Sequence, residues 1–447
     1  MKVRRQGNLL YVSRNEKNEY PVLGIVVAAA LLYLAPFTTV LMTVPATVIC
    51  LYRVIQYDAR IYATDYCAMA PIIVLSRLGE GVPLLLYLSL FAAIWYFCRR
   101  GFRVCAPYVI LVVLMNYLFL RMQMDINAYV LCFGQMFTLC ILLPEQDDVS
   151  AERAVKAFLL NLLISSVYAY CLRNTWPIRQ ITGAESVALY GTNIKRFKGL
   201  FADPNFYMTM LTVGIALVLK LKDSNRVGKR YFFFMLIALS LFGVLTYSKT
   251  FFLMFILLVG IYVVWQYWNR RIFRGLAITF LAVVAMILIF TMENSPFAVV
   301  LTRFREGKTL SDFTTNRSDV YLLYVREITS SLEGFFFGKG LAAEGLSFDP
   351  HNVYLEITYY IGIVGLLLFV GFYVSMVGIA KGKILCAPRQ NMIAKYEVLL
   401  IVLVLFFTLH GMFEPVLYAN LFMGFMAILL TRKLPQEESS LQPTCGG

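Results

Sequence analysis

Residues 349–374 read DPHNVYLEITYYIGIVGLLLFVGFYV, and no charged side chain occurs between Ile357 and Val374. A helix crosses the hydrocarbon of a bilayer in about 20 mostly apolar residues, with a range of about 17 to 25. The run meets that length, so the stretch predicts a membrane helix whose mouth is Asp349–Asn352. His351, at that mouth, is one of 2 histidines in 447 residues. What a histidine does there depends on the side of the membrane that the mouth faces.

The rest of the chain resembles this stretch in composition. It is 60% hydrophobic and 15% charged, with a mean hydropathy of +0.71. Soluble domains are nearer half apolar and a quarter charged, so the class is membrane protein. The same ruler finds roughly fourteen candidate spans. They lie near 20–36, 38–56, 61–78, 82–98, 104–120, 126–143, 153–172, 204–221, 231–247, 251–268, 273–290, 353–379, 396–412 and 415–431. The expected fold is all-α: a single polytopic membrane domain over 1–447 with roughly 12–14 transmembrane helices. The weakest span is 61–78, which carries Asp65 and Arg77. The first span follows a basic stretch without a small-residue cleavage site after it, so it is expected to be retained rather than removed as a signal peptide.

Charge sets the orientation, because Lys and Arg collect in cytoplasmic loops. With the amino terminus inside, the inner loops gather Arg4, Arg5, Arg53, Arg99, Arg100, Lys220, Arg226, Arg270, Arg271, Lys381 and Arg432 among others. Treating 61–78 as non-spanning would put Arg99 and Arg100 outside, so parity argues that it spans. The net charge of +14 is then mainly an orientation signal, and no nucleic-acid partner is expected. Both termini are expected inside, with a cytoplasmic tail over 433–447. Two long segments, 173–203 and 291–352, fall outside. Neither holds any of the 9 cysteines, so no disulfide framework or zinc spacing is visible.

The unusual charge lies in those outer segments. The first, RNTWPIRQITGAESVALYGTNIKRFKGLFADPN over 173–205, concentrates Arg173, Arg179, Lys195, Arg196 and Lys198. Basic residues beside a span are disfavoured on the outside, and guanidinium forks match phosphate oxygens, so Arg196 and Lys198 are candidates for an anion site. The plain alternative is a solvated loop. Asp203-Pro204-Asn205 then opens a span, as Asp349-Pro350-His351-Asn352 opens another. Both pairs fit anion-attracting helix starts, and for Asp203 and Asp349 simple capping is the preferred reading. In the tight turn Tyr247-Ser248-Lys249-Thr250, Lys249 either snorkels or points into a shared cavity. The second segment includes TTNRSDVYLLYVREITSSLEGFFFGKGL. Its Val320, Leu323, Tyr324 and Ile328 follow helical spacing, predicting an amphipathic helix over 318–332 that lies on the membrane, with Arg317 at its start.

Taken in order, RFKGLFADPN, YSKT, TNRSDVY, FGKGL and DPHNVYLEITYYIGIVGL resemble the membrane O-antigen ligase and O-antigen and exopolysaccharide polymerase family, over roughly residues 195–375. The resemblance implies a helical membrane glycosyltransferase of the bacterial cytoplasmic membrane. Its donor would be an undecaprenyl-diphosphate-linked oligosaccharide at the outer face, and its acceptor a glycan. It would use no nucleotide sugar, metal or other cofactor. Capsule or polysaccharide export and chain-length proteins would be neighbours in the cell envelope. The family's arginines are matched by Arg196 and Arg317 and its loop histidine by His351; its short-turn arginine is here Lys249. These imply catalytic roles for His351, Arg196 and Arg317, and substrate contacts at Lys198, Asn205, Lys249, Asn352 and Glu356.

The chemistry suits these types. A sugar hydroxyl attacks the anomeric carbon while the diphosphate leaves; arginines stabilise the leaving group and a histidine accepts the proton. Glu356, about 7.5 Å deeper than His351 at 1.5 Å per residue, would orient it or pair with a base. His410, near Glu414, is a weaker candidate for the same work, and a capping His351 is the plain alternative. Three functions stay open. The preferred one is a polymerase joining lipid-linked repeats. The second is a ligase delivering a finished glycan to a lipid or protein acceptor. The third is a flippase, which should show related halves and midplane charges, whereas this chain concentrates its unusual charge in two unequal outer segments.

Overall fold

The computed structural model describes residues 2–6, 9–13, 22–38, 40–78, 83–100, 106–122, 148–182, 186–189, 192–201, 203–223, 226–248, 251–252, 254–256, 258–260, 262, 317–340 and 352–382. The expected spans at 126–143, 273–290, 396–412 and 415–431 and the 433–447 tail lie outside the described residues.

Helices dominate: α1 Val22–Thr38, α2 Val40–Gln56, α3 Ala59–Met69, α4 Leu84–Arg100, α5 Ala106–Met122, α6 Asp148–Leu172, α7 Ile178–Thr182, α8 Pro204–Asp223, α9 Lys229–Leu245, α10 Arg317–Thr329, α11 Leu332–Phe337 and α12 Val353–Gly382. Three stretches, Glu152–Leu172, Pro204–Lys222 and Tyr354–Phe372, are long and apolar enough to cross a membrane, and shorter apolar helices accompany them. The all-α expectation is met by the described residues, beside which stand two short antiparallel hairpins, β1 Lys2–Gln6 with β2 Leu9–Ser13, and β3 Ser186–Leu189 with β4 Thr192–Lys195. The second interrupts the 173–203 segment expected to be a loop.

The helices pack mainly as the pairs α1 on α2, α3 on α6, α8 on α9, and α5 on α12. The Tyr96 hydroxyl donates to Val54 O at 3.1 Å, Arg99 Nη1 donates to Ile55 O at 3.3 Å, and Arg226 Nη1 lies 3.6 Å from Glu152. At opposite helix ends, Phe197 N–H donates to Leu245 O at 3.0 Å and the Tyr117 hydroxyl to Phe337 O at 3.2 Å. Each contact joins ends that the Lys/Arg pattern assigns to the same side.

The doubtful 61–78 segment divides into α3, 11 residues, and a 3-10 helix Ala70–Ser76, 7 residues. At 1.5 and 2.0 Å rise per residue their summed length is about 30 Å, the thickness of a hydrocarbon core. Pro71 has no N–H to give the carbonyl four residues back, which favours the change of winding there. The Asn161 amide donates to Ala68 O beside the junction and accepts from the Tyr33 hydroxyl at 2.6 Å.

Asp65, the residue that weakened this span in the sequence, is buried and takes a two-pronged contact from buried Arg53. Nε donates at 2.6 Å and Nη2 at 2.9 Å. Gly24 leaves room for the guanidinium, since a Cβ there would sit 3.0 Å from Arg53 Nη1. A cavity of about 20 Å³, lined by Cys50, Tyr62, Asp65 and Tyr66 among others, adjoins the pair. Removing one partner of a buried pair strands a charge, at about 3–5 kcal/mol, whereas an apolar replacement of both is often near neutral. Arg53→Ala or Asp65→Ala should therefore lower the unfolding temperature of the purified protein strongly, and Arg53→Met with Asp65→Leu much less. Single variants as stable as the parent would show that the pair is not desolvated.

Candidate functional site

Arg196 ends the segment that leaves β4, and it is only 9% exposed. Its Nε donates to Thr246 O at 2.9 Å and Nη2 to Asn205 Oδ1 at 3.1 Å. One guanidinium thus ties together the 173–203 segment, the start of α8, and the turn after α9. A fixed, buried guanidinium is preorganised in a way that a solvated one is not.

The segment is held by an aromatic platform. Phe197 meets Tyr207 edge-on with ring centroids 5.4 Å apart, and Phe201 stacks on Tyr207 at 5.8 Å. Phe197 also contacts Tyr170 and Phe242, and Arg173 lies 4.1 Å above the Tyr170 ring. Tyr207 is buried and donates to Ser166 Oγ at 2.7 Å. Gly199 crosses above this ring with φ +59, where a Cβ would stand 2.8 Å from Tyr207. The spacing Phe197-x-Gly199-x-Phe201 is therefore the lid of Tyr207, and it fixes where Arg196 emerges. Reading the motif as a charge cluster overlooks Tyr207, Ser166 and Thr246; the paired phenylalanines around a glycine were the available signal.

Asp203 caps α8, with Oδ1 accepting from Asn205 N–H at 2.6 Å, so the capping reading holds. Asn205 serves Arg196 from the first turn of the same helix. Lys198 is half-buried in the turn, its carbonyl accepting from Phe201 N–H at 3.1 Å. In the neighbouring turn, Tyr247 adopts φ 49 and Ser248 is buried. Lys249 lies outside the described residues, as do Asp349, His351, His410 and Glu414.

At the end of the 291–352 segment the cap is Asn352, whose Oδ1 accepts from Tyr354 N–H at 3.1 Å and Leu355 N–H at 3.3 Å. Glu356 is one turn deeper and 4% exposed, its N–H donating to Asn352 O at 3.0 Å. Arg317 is the first residue of α10, and its side chain lies outside what the structure describes. The expected 318–332 helix is two helices. It breaks at Ser330–Ser331, where Ser331 Oγ caps α11 through Gly334 N–H at 3.0 Å. Tyr324 and Ile328, placed by sequence on the membrane face, are instead buried against Tyr359, with Val320 packed beside them. Leu323 remains exposed.

The structure thus unites Arg196, Asn205 and the turn at Thr246–Ser248. Asn352 and Glu356 stand on α12, whose main partner is α5. Comparison of the chain with protein-family models, curated proteins and solved structures finds no match.

Proposed function

We propose that this chain is a membrane glycosyltransferase that joins undecaprenyl-diphosphate-linked oligosaccharide repeats at the outer face of the bacterial cytoplasmic membrane, with both termini inside. The observation that carries the reading is the buried Arg196, fixed between the RFKGLFADPN segment and the YSKT turn. Arg196 of the first motif donates to Thr246 O, the carbonyl immediately before the second, and a guanidinium so fixed matches phosphate oxygens. In the proposed step the acceptor hydroxyl oxygen forms a bond to the donor's anomeric carbon. The bond from that carbon to the diphosphate oxygen breaks, and undecaprenyl diphosphate leaves with the electron pair. Arg196 and Arg317 stabilise the departing charge, and His351 takes the hydroxyl proton. Lys198, Lys249, Asn352 and Glu356 serve the substrate around them.

The test is a purified preparation in liposomes supplied with one lipid-linked repeat. A ladder of longer glycans with release of undecaprenyl diphosphate is the expected product. Transfer only onto an added lipid or protein acceptor would make the protein a ligase, and movement of the lipid across the bilayer without transfer would make it a flippase. In the same assay His351→Gln keeps a hydrogen-bonding group but cannot accept a proton near neutrality. A His351→Gln protein as fast as the parent from about pH 6 to 8 would remove the base role.

A further inference from the structure

The segment Ser331–Gly340 has backbone chemistry that a water-facing loop does not need. Gly334 N–H is capped by Ser331 Oγ at 3.0 Å, Phe335 N–H donates to Ser331 O at 3.0 Å, and Gly338 N–H to Gly334 O at 2.9 Å. Beyond the helix, Phe337 O accepts from the Tyr117 hydroxyl at 3.2 Å, and Gly338 O accepts from the Arg121 guanidinium. Lys339 N–H donates to Tyr359 O at 2.8 Å. That carbonyl is available because α12 is broken at Gly362, whose φ 70 and ψ −176 are not helical. The turn is thus tied on both sides to membrane-type helices. Internal partners for an irregular backbone are what hydrocarbon demands and water does not.

The side chains it carries are apolar and outward. Leu332 is 79% exposed, Phe336 45% and Phe337 50%. The adjoining α10 adds exposed Leu322 and Val325, while Tyr324 and Ile328 are buried under it. Exposed Asp319, Arg326 and Glu333 interrupt the apolar surface. Phe337 and Gly338 are held by Tyr117 and Arg121, which flank Leu120, itself 74% exposed at the end of the α5 apolar stretch. The turn is therefore anchored to the end of α5 that carries exposed Leu120. At the inner edge of the hairpin Lys339 pairs with Glu327, a hydrogen bond that holds this carboxyl below the usual carboxylate range. The link is complete above the ordinary carboxylate value and lost as pH falls through the lowered one.

We infer that α10, α11 and the turn to Gly340 form a wedge seated in the bilayer interface, with Leu332, Phe336 and Phe337 against acyl chains and Leu322 and Val325 at headgroup level. Aromatic and aliphatic side chains on a short interfacial helix, with charges at its rim, are the chemistry that a lipid surface takes. The inference rests on the membrane reading of the chain and is independent of the transfer reaction.

The test uses the full chain in phosphatidylethanolamine–phosphatidylglycerol liposomes containing a phospholipid with a diazirine in its acyl chain. After illumination, adducts are mapped by mass spectrometry. Adduct yields at Leu332, Phe336 and Phe337 should match those at Leu120 and Leu367, with none at Glu333 and Arg326. Phe336→Ser with Phe337→Ser should lose the adducts in 332–337 while keeping those at Leu120. Adducts at Leu120 and Leu367 but none in 332–337 of the parent would overturn the wedge. So would cross-links from this face to a second copy of the chain, which would make it a protein interface.

Discussion

Arg196→Ala should lower glycan transfer by about 10²- to 10³-fold, the effect of losing one preorganised donor to developing charge. The same change strands Thr246 O and the Asn205 side chain, each left without the guanidinium they share. Leaving a buried polar group unsatisfied costs about 1–3 kcal/mol, so the unfolding temperature should fall as well. The two effects are separable. Arg196→Lys restores a point charge without the planar fork and should recover part of the turnover. Asn205→Ala removes one anchor but keeps the guanidinium, and should cost less activity than Arg196→Ala. Activity per folded molecule of Arg196→Ala, measured with the lipid-linked repeat, decides the matter. A value equal to the parent, alongside a lowered unfolding temperature, would make Arg196 an anchor of the 196–205 segment and nothing more.

Gly362→Ala should be the most damaging small substitution in the described part of the chain. A Cβ at Gly362 would lie 2.2 Å from Phe336 O and 2.5 Å from Phe337 N, atoms of a backbone that is itself tied down. The backbone conformation adds strain of about 1–3 kcal/mol, since that region is essentially reserved for glycine. Overpacking adds about 1–3 kcal/mol more. Gly338 is the reciprocal case, with φ +74 and a Cβ that would meet Tyr360 O at 2.4 Å. Both alanine variants should reduce the monodisperse yield and the unfolding temperature sharply. Gly371→Ala, on the same helix with nothing within 4 Å of the added carbon, is the control and should be neutral or slightly stabilising. If Gly362→Ala unfolds at the parent temperature, α12 is not held broken by the turn that faces it.

Much of the helical framework was legible because hydropathy is a local property. The apolar runs at 153–172, 204–221 and 353–379 correspond to α6, α8 and α12 within a few residues at most ends. Asp203 as a cap was legible for the same reason, since its partner is Asn205, two positions on. The parity argument for 61–78 used only charge counts, and Asp65 lies in a buried helix there. The site was legible as residue types and far less as an arrangement. Arg196 stood out by its charge in a segment expected outside, but its partner Thr246 is 50 positions away. The Phe197–Gly199–Phe201 lid is visible as spacing and meaningless without Tyr207 beneath it.

Other features belong to tertiary structure alone. Arg53 and Asp65 are drawn together because neither charge survives burial without the other, a requirement that acts through space rather than along the chain. Val320, Tyr324 and Ile328 carry helical spacing that reads equally as a lipid face or a protein face, and Tyr359 decides for protein. The sequence GIVGLLL around Gly362 supports an unbroken apolar helix. It breaks at Gly362, where Lys339 N–H takes the Tyr359 carbonyl and Phe336–Phe337 occupies the space a side chain would fill. Hydropathy and periodicity determined which segments are helices and which faces are apolar, because those follow from water and chain geometry one turn at a time. Which apolar face meets protein, which carbonyl gives up its helical partner and which charge is paired depend on a competitor supplied from elsewhere in the chain, and only packing brings that competitor within reach.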